Sequence, residues 1–361
     1  MKNLILTYNF PPTIGGIETY SKFLINYLKE DEDYDFIYPK NEKSNNVFLR
    51  ALGIILFNLK TLSKILLRNY KLIQITSLNL WPVVLIYLLF HKDCKVLINI
   101  WGLELVYENK KGLLPKIYKL IYPLERILKN KNINFLISSS ASRDLLLKKE
   151  IDDSRILYLP LGVEVSDKKI IKNVNNEKYF LFVGRNVPRK GMSWFSNEIL
   201  NNYKNFKMYA VGPIIDKEEL NRASRNPNFK HLGTVSDEKL SELRRNAFCT
   251  VVPNIFLPNE DDFEAFCFAT IEAVADKSIV IASDYQGISD ALKNGLLGYL
   301  SKPSDIDSWK ETIDKLLIMS SKDKEKIIED RFKILKNELS WNIIIENTKN
   351  IHRNLVEVSN E

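Results

Sequence analysis

The sequence predicts an α/β protein made of two doubly wound domains in tandem, and three observations carry that expectation. Short β-rich runs alternate with longer helical stretches, the alternation restarts after a polar interruption, and the chain is long enough for two cores. At 361 residues with 45% hydrophobic content, it has the apolar mass to bury both.

In the first series, residues 4–8, 34–38, 72–76, 96–100 and 133–138 read as strands, being β-branched or aromatic runs of the right length. Helical periodicity fills the gaps, first at 17–28 and then in two basic segments, 52–68 and 113–131, the second interrupted by Pro123. A polar Lys/Asn-rich stretch, 164–177, breaks the pattern and reads as a linker. Strand signals then resume at 179–183, 207–211, 248–252 and 279–283, with an apolar helix opening near Cys267. The expected division is an N-terminal domain at 1–164, a C-terminal domain at 165–338 and a closing segment at 339–361.

Bulk chemistry narrows the function. Net charge is +7, and residues 51–150 hold 16 Lys or Arg against 6 Asp or Glu, so 16 − 6 = +10 is concentrated in the first half. Such a surface suits an anionic partner. Cys94, Cys249 and Cys267 have no paired spacing and there are only three histidines, so neither a disulfide framework nor a zinc site is expected, and a reducing cytoplasmic setting fits. The start reads as a first strand without a cleavage site, and the longest apolar run, 80–90, is too short to span a bilayer.

Several segments have the residue types for phosphate or sugar recognition. Gly15-Gly16 opens onto the helix at 17–28, an arrangement that lets backbone N–H groups approach a phosphate. It lacks the third glycine of the dinucleotide fingerprint. After the strand at 179–183 come Gly184, Arg185, Arg189 and Lys190, cations at a strand end where open α/β sheets bind ligands. Glu264 and Glu272 flank the entrance of the apolar helix with a spacing that puts both on roughly one face, suited to two ligand hydroxyls. The run Glu260-Asp261-Asp262 reads as a solvated loop, because hard cations need oxygens wrapped around them.

The ordered set Gly15-Gly16, Pro160-Leu161-Gly162-Val163, Val183-Gly184-Arg185 with Lys190-Gly191, Glu264/Glu272, Ser283-Asp284, Asn294-Gly295 and a closing Ser340-Trp341 resembles the retaining glycosyltransferases of family 4. The resemblance implies the GT-B fold, two Rossmann-like domains facing a central cleft, with the final helix returning to the N-terminal domain. It implies Arg185, Lys190 and Glu264 as catalytic residues, the cations on the donor diphosphate and Glu264 on the sugar hydroxyls. Glu272 would take the ribose, and Gly184 with the backbone at Phe266, Cys267 and Phe268 would approach the sugar or phosphates. Gly15 and Gly16 would do so from the other domain. Trp101 and Glu104 would belong to the acceptor or sugar pocket. No cofactor and no metal is implied, only a nucleotide diphosphate sugar as substrate. Where family members commonly have His-Gly and further glycines, this chain has Trp101-Gly102, Ala265, Cys267 and Gln286, which implies a narrower sugar space and an unusual donor.

The expected activity is transfer from a UDP- or GDP-sugar to a glycan or lipid-linked acceptor in bacterial surface polysaccharide or glycolipid synthesis. The basic segment 51–131 would rest on an anionic membrane surface at the inner face of the cytoplasmic membrane. The alternative is a catalytically impaired subunit that binds nucleotide or scaffolds a partner. An epimerase finds no support in His91, His231 and His352, none near a motif, and nucleic-acid binding finds none in stacking or helix-turn-helix patterns.

Overall fold

The computed structural model describes residues 1–13, 15–40, 47–106, 129–166, 178–257 and 263–357. Most of the expected helix at 113–131, most of the linker at 164–177 and the acidic run 260–262 lie outside the described residues. The chain divides into two units, Met1–Gly162 with Trp341–Glu361, and Val163–Ser340.

The first unit carries an all-parallel sheet of β1 (Lys2–Leu6), β2 (Tyr34–Ile37), β3 (Tyr70–Ile75), β4 (Lys95–Ile100), β5 (Ile133–Ile137) and β6 (Ile156–Tyr158). Its order is β2-β1-β3-β4-β5-β6, with Leu4 opposite Ile73 and Ile98 opposite Phe135. Both faces are covered, which is why the strands read as unbroken apolar strings. Leu4, Leu6, Ile73, Ile75, Val96, Ile98 and Phe135 pack with α3 (Trp81–Phe90) and the inner side of α2 (Val47–Ile65). Strand β1 ends before the expected Tyr8 because the Thr7 hydroxyl accepts the Asn9 N–H at 3.0 Å, a local turn that competes with the ladder.

Helix Trp341–Glu357 packs on β3 and on α1 (Gly16–Leu28). Trp341 is buried and stacks on Phe23 at 5.1 Å. Its ring also explains Gly162, where a Cβ would lie 2.6 Å from Trp341 Cδ2. Further along, His352 is buried between Tyr34, whose hydroxyl lies 2.9 Å from Nδ1, and Gln74, whose Oε1 lies 2.9 Å from Nε2. Gln74 Nε2 continues to Asn99 Oδ1 at 2.8 Å.

Burial pushes the His352 pKa down to about 3. The native imidazole is therefore neutral while the unfolded one takes a proton below its ordinary value near 6.5, so stability is full above that pH and is lost as pH falls toward the native value. The expected loss is at most about 1.4 kcal/mol per pH unit. Urea unfolding of the chain at pH 7, 6 and 5 checks it: His352→Gln is expected to flatten the slope, and an unchanged slope would acquit the histidine.

The second unit repeats the architecture with β7 (Tyr179–Val183), β8 (Lys207–Val211), β9 (Phe229–His231), β10 (Cys249–Val252), β11 (Val280–Ser283) and β12 (Tyr299–Ser301). The order is β12-β11-β10-β7-β8-β9, so the winding direction reverses between β7 and β10. Phe180, Phe182, Met208, Val251 and Ile281 form one face with Phe195, Trp309 and Ile313, while Leu181, Val211 and Leu243 fill the other. Strands β6, β9 and β12 were not expected from the sequence. Each has three residues at or near a sheet edge, too few to show a period.

Candidate functional site

Within the second unit, the reversal between β7 and β10 leaves a crevice at the carboxyl ends of the strands, the place where open α/β sheets take ligands. The loop after β7 is built to hold its shape there. Buried Asn186 accepts the N–H groups of Ile215 and Asp216 at 2.5 and 3.2 Å and donates to the Asp216 carbonyl at 2.6 Å, tying it to the loop after β8. A tight turn at Pro188–Lys190 ends on Gly191 with φ 68°, and the Ile255 N–H donates to the Arg189 carbonyl at 3.0 Å, joining the loops that follow β7 and β10.

This geometry brings Arg189 and Lys190 onto Glu264. Arg189 Nη1 and Lys190 Nζ each lie 2.5 Å from Glu264 Oε2, and Asn254 Nδ2 donates to the same oxygen at 3.3 Å. Burial opposes ionisation of this carboxyl, but Lys190 and Arg189 outweigh it and hold the pKa below the usual carboxylate range. The Glu264 backbone is gripped as firmly as its side chain. Its N–H donates to Gln286 Oε1 at 2.7 Å and its carbonyl accepts the Gly287 N–H at 3.0 Å. Gln286 adopts φ 46° and ψ −137°, so the residue that replaces an expected glycine takes a positive-φ backbone that favours glycine and uses its side chain as a clamp. Gln286, Glu264 and Arg189 line one depression with Phe263 and Tyr285.

Beyond Glu264, helix Phe268–Ala275 starts with Cys267 as its cap residue and no side chain capping it. Among the described residues, the N–H groups of Phe266, Cys267 and Phe268 have no acceptor, so three donors stand free at the positive end of a helix. Burial pushes the Cys267 thiol up to about 11, which makes it inert as a nucleophile.

The structure does not gather every expected residue at this point. Glu272 accepts Arg244 Nη2 at 2.5 Å, and Arg244 also pairs with Asp276 at 3.2 Å, so Glu264 and Glu272 share no partner. Glu264 stands before the helix, at its entrance as expected, and Glu272 lies within it. Gly184 follows β7, its N–H donating to the Val211 carbonyl, and Arg185 is exposed with no ion-pair partner among the described residues. The sequence places Arg189 among the strand-end cations suited to a ligand but gives it no catalytic role, and it does not reveal Asn254 or the clamp role of Gln286. Adjacency to Lys190 was the available signal for Arg189; for Asn254 there was none.

In the first unit, the winding reverses between β1 and β3. The hydroxyls of Thr7, Ser21 and Thr76 bond to one another there at 2.6 to 3.1 Å. Gly15 caps α1, and a Cβ on it would meet Glu18 Oε2 at 2.5 Å; Gly16 is the first helical residue. Buried Glu18 accepts Asn9 Nδ2 at 3.0 Å. Trp101 is half-buried, donating Nε1–H to the Thr76 carbonyl at 2.8 Å and meeting Tyr20 edge-on at 5.3 Å. It lines a small cavity with Tyr20, Asn99, Ser138 and Leu161. Glu104 Oε1 accepts the Trp101 N–H at 2.7 Å, and burial, partly offset by that bond, pushes its carboxyl up to about 7.

The chain has recognisable relatives. The uncharacterized glycosyltransferase MJ1178 of Methanocaldococcus jannaschii is 25% identical over 95% of this chain and 96% of its own length. The capsular polysaccharide biosynthesis glycosyltransferase CapM of Staphylococcus aureus is 24% identical over 67% of each chain. Among solved structures, Anabaena Alr3699/HepE, crystallised with UDP and glucose, superposes with a TM-score of 0.72 at 13% identity over 96% of this chain and 98% of that one, a likeness of GT-B fold. Residues 164–333, which contain the whole Arg189, Lys190 and Glu264 cluster, match the family described as Glycosyl transferases group 1.

Proposed function

We propose that the chain is a retaining glycosyltransferase of family 4 type that transfers a sugar from a UDP- or GDP-sugar to a glycan or lipid-linked acceptor in surface polysaccharide or glycolipid synthesis. The observation that carries the reading is the buried Arg189, Lys190 and Glu264 cluster, set at the reversal point of the second sheet beside three free N–H groups. An anionic diphosphate finds there two cations and a helix N-terminus. A sugar finds a carboxylate whose backbone is fixed on both sides. The similarity to CapM supports a polysaccharide acceptor, and the fold likeness to a UDP-binding protein supports a nucleotide donor.

In this reading the bond between the anomeric carbon and the phosphate oxygen breaks as the acceptor oxygen bonds to the same face. The acceptor proton passes to the departing phosphate, and the products are the glycoside and the nucleoside diphosphate. Lys190, with Arg185 and Arg189, stabilises the charge that develops on the leaving group, so no metal is called for. Glu264 orients the donor sugar. Glu272 reaches the ribose only with the carboxylate oxygen that Arg244 leaves free. Trp101 and Glu104 are assigned to the acceptor side, and the setting is cytoplasmic, at an anionic membrane surface.

Thermal-shift titration with UDP, GDP and their sugars, with and without EDTA, tests the reading together with an assay for donor hydrolysis. Stabilisation by one nucleotide and slow release of free sugar, both unaffected by EDTA, are expected. Nucleotide binding with no hydrolysis and no transfer would favour a scaffold.

A further inference from the structure

Helix α2 turns the wrong chemistry outward. Its inner stripe is Ile54, Phe57, Asn58, Thr61, Leu62 and Ile65, of which Asn58, Thr61 and Ile65 are buried and the others pack against the first core. Two of the six are polar, and Asn58 Nδ2 has to be satisfied by the carbonyls of Ile54 and Asn79. The outward stripe, at spacings of three and four, is Leu52, Ile55, Leu56 and Leu59, with Leu56 57% and Leu59 60% exposed. A surface helix of a protein that meets only water places charges on that side.

The apolar surface continues past the helix. Leu67 in the next turn is 94% exposed, and Leu89 and Phe90 at the end of α3 are 71% and 68% exposed. The Tyr87 hydroxyl donates to the Arg68 carbonyl at 2.8 Å, which sets the end of α3 beside that turn.

Charge in the stretch of chain that carries the stripe has one sign, with Asp93 the first carboxylate after it. Residues 43–92 contain seven Lys or Arg and no Asp or Glu, in a chain with 45 carboxylates. Arg68 is engaged with Asp35 of β2 at 3.4 Å, whereas Lys60 and Lys64 have no ion-pair partner among the described residues. No helix among the described residues is long and apolar enough to cross a membrane.

We propose that the outward face of α2, with Leu67, Leu89 and Phe90, docks on an anionic lipid bilayer. Leucine side chains enter the headgroup boundary while Lys60 and Lys64 meet lipid phosphates. A second copy of the chain docked through the same face is a poorer occupant, because it would bring Lys60 and Lys64 up against their own counterparts. The assignment deepens the reading of the chain as a transferase of surface glycans but does not depend on its chemistry. It also narrows the contact from the basic segment 51–131 to one apolar face with a cationic rim.

Flotation of the full chain with vesicles of phosphatidylcholine alone, and of equal parts phosphatidylcholine and phosphatidylglycerol, tests it. The chain is expected to float with the mixed vesicles, only weakly with the neutral ones, and to keep a residual bound fraction at high salt. Leu56→Glu/Leu59→Glu is expected to lower partitioning by about a hundredfold, since each buried leucine is worth about a tenfold factor. Lys60→Glu/Lys64→Glu is expected to abolish the preference for anionic vesicles. The thermal shift with UDP or GDP serves as a folding control and is expected to be the same in all three proteins, so a wrong donor assignment leaves the vesicle result standing. Equal partitioning of the wild type and the leucine variant overturns the proposal. So does a wild-type dimer in vesicle-free solution that Leu56→Glu/Leu59→Glu converts to monomer, because the face then belongs to a second copy.

Discussion

Glu264→Gln is expected to lower donor turnover by about a hundredfold or more, the scale of losing one preorganised electrostatic contact to a transition state. Lys190→Ala is expected to do the same from the other side of the ion pair. The two variants differ in stability. Glu264 Oε2 is the counter-ion of both Arg189 and Lys190, whose side chains are only about a tenth exposed, so neutralising it leaves two cations together with an amide oxygen. Breaking a buried pair in this way costs about 3–5 kcal/mol, and the cluster's place beside a surface depression moves the expectation to the lower end. Lys190→Ala leaves the Arg189 to Glu264 bond intact and is expected to cost less. A nucleoside diphosphate restores the missing negative charge, so UDP or GDP is expected to raise the Tm of Glu264→Gln by more than that of the wild type. Equal shifts would show that Arg189 and Lys190 do not face the phosphates, and near-normal turnover would reduce the cluster to a structural ion pair.

How much of this is legible in the sequence depends on the range of the interaction involved. The alternation of strands and helices, the doubly wound character of both units and the strands at 179–183 and 207–211 follow from local pattern, and the structure reproduces them. Lys190 and Glu264 are legible as residue types in a strand-end turn and before an apolar helix. Their direct pairing is not, because 74 residues separate them and only the parallel pairing of β7 with β10 brings their loops together. The same limit explains Glu272. Helical spacing suggests that it works beside Glu264, yet Arg244, from helix Asp237–Asn246, claims its carboxylate. Gln286 shows a different limit: a side chain where glycine is expected reads as bulk in a sequence, and its hydrogen bond to the Glu264 N–H is made from a positive-φ backbone that local pattern does not announce.

Gly191→Ala is expected to be among the most damaging single methyl groups that can be added to the second unit's site. Gly191 has φ 68°, which costs a residue with a Cβ about 1–2 kcal/mol by itself. Steric overlap costs more: a Cβ there would lie 1.9 Å from the Pro253 carbonyl oxygen and 2.9 Å from its carbon, both backbone atoms that no rotamer change can move aside. Accommodation requires the loops after β7 and β10 to part, which breaks the bond from Ile255 to Arg189 and draws Arg189 and Lys190 away from Glu264. A total above about 4 kcal/mol, in the range reserved for the most disruptive substitutions, is therefore expected, along with loss of nucleotide binding. Gly233 supplies the internal control. It has nearly the same backbone angle, φ 73°, but a Cβ there would meet nothing within 4 Å, so Gly233→Ala isolates the cost of the backbone conformation. Denaturant unfolding of both variants separates the two contributions. If they lose the same stability, the contact between Gly191 and Pro253 is not what locks the cationic loop against β10, and the rigidity attributed to the Arg189, Lys190 and Glu264 cluster must have another source.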